Sequence, residues 1–262
     1  MKVVLFSGGL GLRLREYSDV TPKPMIPIGV RPILWHVMRY YAHFGHKDFI
    51  LCLGYRAEVV KSYFLNYSEA LSNDFVMTDG GRSLELLQTD IEDWRITFAD
   101  TGLHTIVGER LRAVRPYVAD EEMFLANYGD TLTDAPLHEL VEAFRQTDNV
   151  AAFLAVRPTY SVHIVESDPS GSVTAIKSIR EAETRINGGY FIFRREIFDY
   201  LREGEELVEE PFRRLIADGR LMAFRYDGFW APMDTLKDKQ DLEVLYERGD
   251  APWAVWLGTR TG

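Results

Sequence analysis

The sequence predicts an α/β protein: a mixed, mostly parallel sheet flanked by helices, with a smaller antiparallel portion later in the chain. Three observations predict it. Strand-length apolar runs recur at Val3 to Phe6, Phe49 to Leu53, Met123 to Ala126 and Ala151 to Val156; segments of helical spacing separate them; and from about Ser161 the texture changes to short alternating runs. Buried runs alternating with amphipathic helices are the βαβ pattern of parallel sheets.

Each element has its own signal. After the first strand, Pro32 is placed for the first turn of a helix carrying Ile33, Val37, Tyr40 and Phe44 on one side, with Gly45 as the C′ residue that ends it. Ala57 to Tyr67 and Leu137 to Phe144 are further helices. Val162 to Val165, Val173 to Ile179 and Tyr190 to Phe193 read as antiparallel strands, the first two joined by a Pro169-Ser170-Gly171 turn. Helical patterns return at Glu196 to Leu201, Pro211 to Ala217 and Leu236 to Tyr246. No low-complexity linker or repeat divides the chain, so residues 1–262 are expected to form one domain. Its tail from Ala251 carries Trp253 and Trp256, which suit packing on the core or on a neighbouring subunit.

The 262 residues are 46% hydrophobic, enough for a sizeable core. Forty acidic against thirty basic residues give a net charge of −10, which disfavours nucleic acid or an anionic membrane as the partner. Cys52 is the only cysteine, so no intrachain disulfide and no cysteine-based metal site can form. A reducing cytoplasm is the expected compartment. The apolar runs fall far short of the ~20 residues that span a bilayer, and no secretory leader is expected.

Chemistry concentrates where the first strand ends. Ser7-Gly8-Gly9-Leu10-Gly11-Leu12-Arg13 is a glycine-dense turn whose backbone N–H groups can approach a polyphosphate, with Arg13 as a planar charged fork. The dinucleotide fingerprint is excluded because its third glycine position is Leu14, and the P-loop because no Gly-Lys-Ser/Thr follows. Lys23, stiffened by Pro22 and Pro24, can direct its ammonium at a fixed point, or it is a surface lysine of an extended loop. A nucleoside triphosphate calls for a divalent cation, which aspartates at strand ends hold. Asp130, just past Met123 to Gly129, is such a position or a turn residue; Asp234 is a second carboxylate or a helix N-cap. Asn187-Gly188-Gly189 could set an amide against ligand hydroxyls. His43 and His46 lack a third ligand nearby, and no Gly-x-Ser-x-Gly elbow is present.

Together these segments resemble the sugar-phosphate nucleotidylyltransferases, most closely the glucose-1-phosphate cytidylyltransferases, over nearly the whole chain. The resemblance is carried by 8–14, Pro22-Lys23-Pro24-Met25, Arg31 to His36, Asp100-Thr101-Gly102, Gly108 to Arg112, Tyr128-Gly129-Asp130, Ile186 to Gly189 and Gly228 to Thr235. It implies a Rossmann-like fold of the nucleotide-diphospho-sugar transferase type, with a nucleotide half at about 1–150, an acceptor half at about 151–240, and a C-terminal helix and tail at 241–262. It also implies transfer of a nucleotidyl group, CTP favoured, to a sugar 1-phosphate with release of pyrophosphate and without a covalent enzyme intermediate. On that resemblance Arg13 grips the leaving phosphates and Lys23 bridges the nucleotide and acceptor phosphates. Asp130 and Asp234 hold Mg²⁺. Gly8, Gly9, Gly11, Leu12, Thr105, Arg110 and Gly129 contact the nucleotide, and Tyr128, Asn187 and Gly188 the acceptor. A homo-oligomer is expected.

The chain departs from the family pattern in three places. Leu12 stands where the family carries a threonine. Lys177-Ser178-Ile179-Arg180-Glu181 replaces a Glu-Lys-Pro whose lysine meets the sugar phosphate, leaving Lys177 or Arg180 as electrostatic substitutes. Tyr160-Ser161-Val162-His163 replaces a Phe-Gly. Two of these fall in the acceptor half, so the acceptor is expected to be a sugar phosphate or another small phosphate or phosphonate. Another base, or a non-catalytic nucleotide-binding role, is the alternative.

Overall fold

Alternate residues of the central strands enter two separate cores. Val3, Leu5, Leu51 and Leu125 pack on one face of the sheet, and Val4, Phe6, Ile50, Cys52 and Ala126 on the other. A strand buried on both faces has no polar alternation to show, which is why these runs read as continuous apolar segments. A computed structural model describes residues 1–9, 11, 21–159, 162–179 and 183–258.

The strands used below are, in chain order, β1 (Lys2–Phe6), β2 (Asp48–Leu53), β3 (Phe75–Thr78), β4 (Ser83–Leu86), β5 (Arg95–Asp100), β6 (Met123–Asn127), β7 (Thr131–Thr133), β8 (Ala151–Val156), β9 (His163–Ser167), β10 (Val173–Ser178), β11 (Ile186–Arg194), β12 (Leu221–Tyr226) and β13 (Trp230–Pro232). The main helices are α1 (Ile33–His43), α2 (Ala57–Leu65), α3 (Val107–Ala113), α4 (Leu137–Arg145), α5 (Glu210–Ala217) and α6 (Leu236–Glu247). Seven strands form one sheet in the order β12-β8-β11-β6-β1-β2-β5. β11 runs antiparallel to β8 and β6, while the other pairings are parallel. The expected mixed, mostly parallel sheet flanked by helices is therefore the fold.

Several boundaries differ from the sequence expectation. Pro32 is the N-cap of α1 and not its first turn: its backbone is extended, at φ −65° and ψ 151°, and lies opposite Pro27 in a short strand pairing just before the helix. Gly45 follows the helix at φ +84°, as a C′ glycine should. Asn187-Gly188-Gly189 lies inside β11, where the register with β8 shifts between Phe153 and Ala155. β9 and β10 pair antiparallel with each other as a separate exposed hairpin, and β3 with β4 make another.

The C-terminal tail packs on its own chain. Trp253 is buried, and its Nε1–H donates to His36 Nδ1 at 3.3 Å, while His36 Nε2–H donates to the Ile28 carbonyl at 3.0 Å. Those two bonds fix the neutral tautomer of a buried imidazole, and burial pushes its pKa down to about 4. Among the described residues no helix is long and apolar enough to cross a membrane.

Candidate active site

Ligands of open α/β sheets bind beyond the carboxyl ends of the strands, and there β1, β2, β5 and β6 end in Ser7-Gly8, Gly54, Thr101-Gly102 and Tyr128-Gly129-Asp130. The first three ends are braced by one side chain. Arg110, on α3 and 3% exposed, donates from Nη1 to the Leu53 carbonyl at 3.2 Å and to Thr101 Oγ1 at 2.6 Å, and from Nη2 to the Gly8 carbonyl at 3.0 Å. Gly8 has to be a glycine here: a Cβ would lie 2.1 Å from Arg110 Nη1. Burial lowers the arginine's pKa, Asp100 opposes that, and the guanidinium brings a positive charge beneath the start of the glycine turn.

Asp130 and Asp234 meet because two short strands pair. β7 and β13 run antiparallel with Thr131 opposite Pro232, and the Met233 N–H donates to the Asp130 carbonyl at 3.0 Å. Thr235 caps α6 in a capping box with Asp238, which leaves the Asp234 carboxylate to face the cleft. Lys23 opens the short 3₁₀ turn Lys23–Met25 and inserts its ammonium between the two carboxylates, 2.5 Å from Asp130 Oδ2 and 2.6 Å from Asp234 Oδ1. Burial alone would lower the lysine's pKa, but the two carboxylates outweigh it and hold the pKa above its ordinary value.

The cleft has a volume of about 380 Å³. Gly9, Thr105, Arg110, Tyr128, Asn187 and Gly188 line it together with Asp130 and Asp234. Asn187 Nδ2–H donates to the Tyr128 hydroxyl at 3.1 Å, and Trp230 Nε1–H holds the Gly188 carbonyl at 2.8 Å. Gly129 turns the chain at φ +79°, its N–H donating to Asn127 Oδ1 at 2.6 Å. Gly11 is also at positive φ.

Lys177 is not brought to this cleft. It stands on the exposed hairpin of β9 and β10, paired with Glu166 at 3.0 Å. Leu12, Arg13 and Arg180 lie outside the described residues, as do Tyr160 and Ser161. Two features went unread in the sequence: the carbonyl-bracing role of Arg110, and Glu206, which lines the cleft from a polar loop with no motif of its own.

The nucleotidyl transferase family model matches residues 2–238. The chain belongs to this family. Glucose-1-phosphate cytidylyltransferase of Salmonella typhi is 38% identical over 258 residues, covering 98% of this chain and 100% of the relative. Solved structures share the fold at lower identity. UDP-glucose pyrophosphorylase complexed with UDP-glucose superposes with a TM-score of 0.69 at 15% identity, covering 95% of this nucleotidyl transferase and 98% of that chain. HddC from Yersinia pseudotuberculosis complexed with GMP-PN gives 0.65 at 19%, covering 94% and 99%.

Proposed function

We propose that this nucleotidyltransferase joins CTP to a sugar 1-phosphate, glucose 1-phosphate first among them, and releases pyrophosphate. The observation that carries the reading is the convergence of Lys23, Asp130 and Asp234 at the carboxyl edge of the sheet, in a chain 38% identical over nearly its full length to a glucose-1-phosphate cytidylyltransferase. An acceptor phosphate oxygen forms a bond to the α-phosphorus while the α–β bridging P–O bond breaks, and the electron pair leaves on pyrophosphate. The attacking oxygen is already anionic near neutral pH, so no general base is needed. Positioning and charge neutralisation carry the catalysis.

The donor set fits Mg²⁺. Two carboxylates converge on one cation position, and among the described residues no group of three or more His, Cys, Asp or Glu side chains is placed to hold a metal alone. That suits an ion that takes one or two carboxylates and completes its shell with phosphate oxygens and water. Asp130 and Asp234 would hold it, and it would supply charge neutralisation at the reacting phosphates. Lys23, released from the carboxylates, bridges the nucleotide and acceptor phosphates. Arg110 holds the glycine turn in the shape that presents its N–H groups, and Arg13 grips the leaving phosphates.

The test is pyrophosphate release with Mg²⁺, offering CTP, UTP, dTTP, GTP and ATP against glucose 1-phosphate, other sugar 1-phosphates and small phosphonates. Turnover with CTP and glucose 1-phosphate is expected. Turnover confined to another base would overturn the nucleotide assignment, and turnover confined to phosphonates the acceptor assignment.

A further inference from the structure

Glu206 is an acidic residue lining the cleft, which on the reading above admits two anionic substrates. Its backbone has little freedom. Leu207 beside it is fully buried, and Glu205 on the other side is ion-paired with Arg214, Nη1 to Oε1 at 2.9 Å. The Gly204 N–H donates to Glu109 Oε1 at 2.7 Å, and the segment lies so close to α3 that a Cβ on Gly108 would sit 2.2 Å from the Glu205 carbonyl oxygen. Of the Glu206 carboxylate, Oε1 accepts the Leu207 N–H at 3.1 Å, and no cation is paired with it among the described residues.

An unpaired carboxylate opposes anion binding unless the ligand answers it with donors. The phosphates have none to offer. A sugar does, because adjacent hydroxyls can both donate to one carboxylate. Glu206 lies on the same cleft as the hydrogen-bonded Tyr128–Asn187 pair. The acceptor half also lacks the family's Glu-Lys-Pro, so a carboxylate from a different loop has a vacancy to fill.

We infer that Glu206 is a specificity-determining residue that accepts hydrogen bonds from sugar hydroxyls of the acceptor and selects a polyhydroxylated phosphate over a bare phosphate or phosphonate. This rests on the nucleotidyl-transfer reading above. It assigns the acceptor half a recognition group that compensates for the lost motif, and it assigns Lys177 no part in it.

The experiment compares wild type, Glu206→Gln and Glu206→Leu by steady-state kinetics with CTP and glucose 1-phosphate or its singly deoxygenated analogues. Calorimetric titration of glucose 1-phosphate into protein with a non-hydrolysable CTP analogue gives an independent binding readout. The glutamine variant keeps an oxygen for the Leu207 N–H, and an unchanged melting temperature establishes its fold. It is expected to raise KM for glucose 1-phosphate about 10- to 100-fold, the scale of a hydrogen bond to a charged group, and to leave KM for CTP within about twofold. At least one deoxy analogue should lose a similar factor with wild type and little more with the variant. A rise confined to KM for CTP would place the carboxylate against the base and overturn the inference, as would unchanged kinetics in both variants. Absence of wild-type turnover would count against the transfer reading alone, since the titrations would still decide the role of Glu206.

Discussion

Two regions that a sugar-phosphate nucleotidylyltransferase would use for its two substrates are built in opposite ways. On the nucleotide side, three parallel strand ends are tied by the single buried guanidinium of Arg110, and the glycine turn rests directly on it. On the acceptor side, the hairpin of β9 and β10 stands away from the sheet with Val165, Val173 and Ile176 exposed and its lysine paired to its own strand partner. The difference teaches where each kind of specificity can reside. A braced edge would fix phosphate geometry and tolerate little change, whereas the wall proposed for the acceptor is assembled from β11, the loop at Glu206 and β13.

Substitutions should divide along that line. The largest effect is expected at Lys23: alanine there should lower turnover about 10²- to 10³-fold, the scale of one preorganised donor. Near-normal pyrophosphate release in that variant would break the comparison at its centre. Next comes pH. The buried imidazole of His36 titrates near 4 in the folded protein against about 6.5 unfolded. Its stabilisation is therefore complete above pH 6.5 and is lost as pH falls towards 4, because the unfolded chain takes up a proton that the folded one refuses. About 3 kcal/mol should disappear over that window, with a smaller part from His46, which burial also pushes to about 4. Urea unfolding at pH 7 and pH 5 checks it, and a level stability would contradict it.

Arg110→Met should cost about 2 kcal/mol, since it strands buried carbonyl groups without their donor. Equilibrium unfolding reads this directly, and a loss of nucleotide affinity with intact stability would instead make Arg110 a direct ligand. The smallest effect is expected at Lys177. Its exposed pair with Glu166 is worth no more than about 0.5 kcal/mol, and alanine there should leave both the melting temperature and KM for the acceptor nearly unchanged. A tenfold rise in acceptor KM would bring the hairpin into the site and erase the contrast.

The same division governs what could be read from the sequence. β1, β2, β6 and β8 were legible within a residue or so because both their faces are buried and their composition says so. β5 and β12 were not. Both are edge strands of the sheet, and Arg95-Ile96-Thr97-Phe98 and Ala223-Phe224-Arg225 mix charged and apolar residues. Lys23, Asp130 and Asp234 were each recognisable as types in motifs. Their meeting point was implied only by the family resemblance, which set Asp130 and Asp234 on one Mg²⁺; local periodicity carries no trace of it, because it is created by the long-range pairing of β7 with β13. Glu206 had no signal at all: it follows Gly204-Glu205 in a charged loop, and only the packing of that loop against Gly108 turns it to the cleft.

The pairing of β7 with β13 also makes the site a product of contacts between distant parts of the chain. Lys23 and Asp234 are 211 residues apart in sequence, and their ion pair forms where Trp230–Pro232 pairs with Thr131–Thr133. A substitution that loosens the pairing of Trp230–Pro232 with Thr131–Thr133 would therefore separate the two carboxylates that Lys23 joins without touching the Arg110 brace.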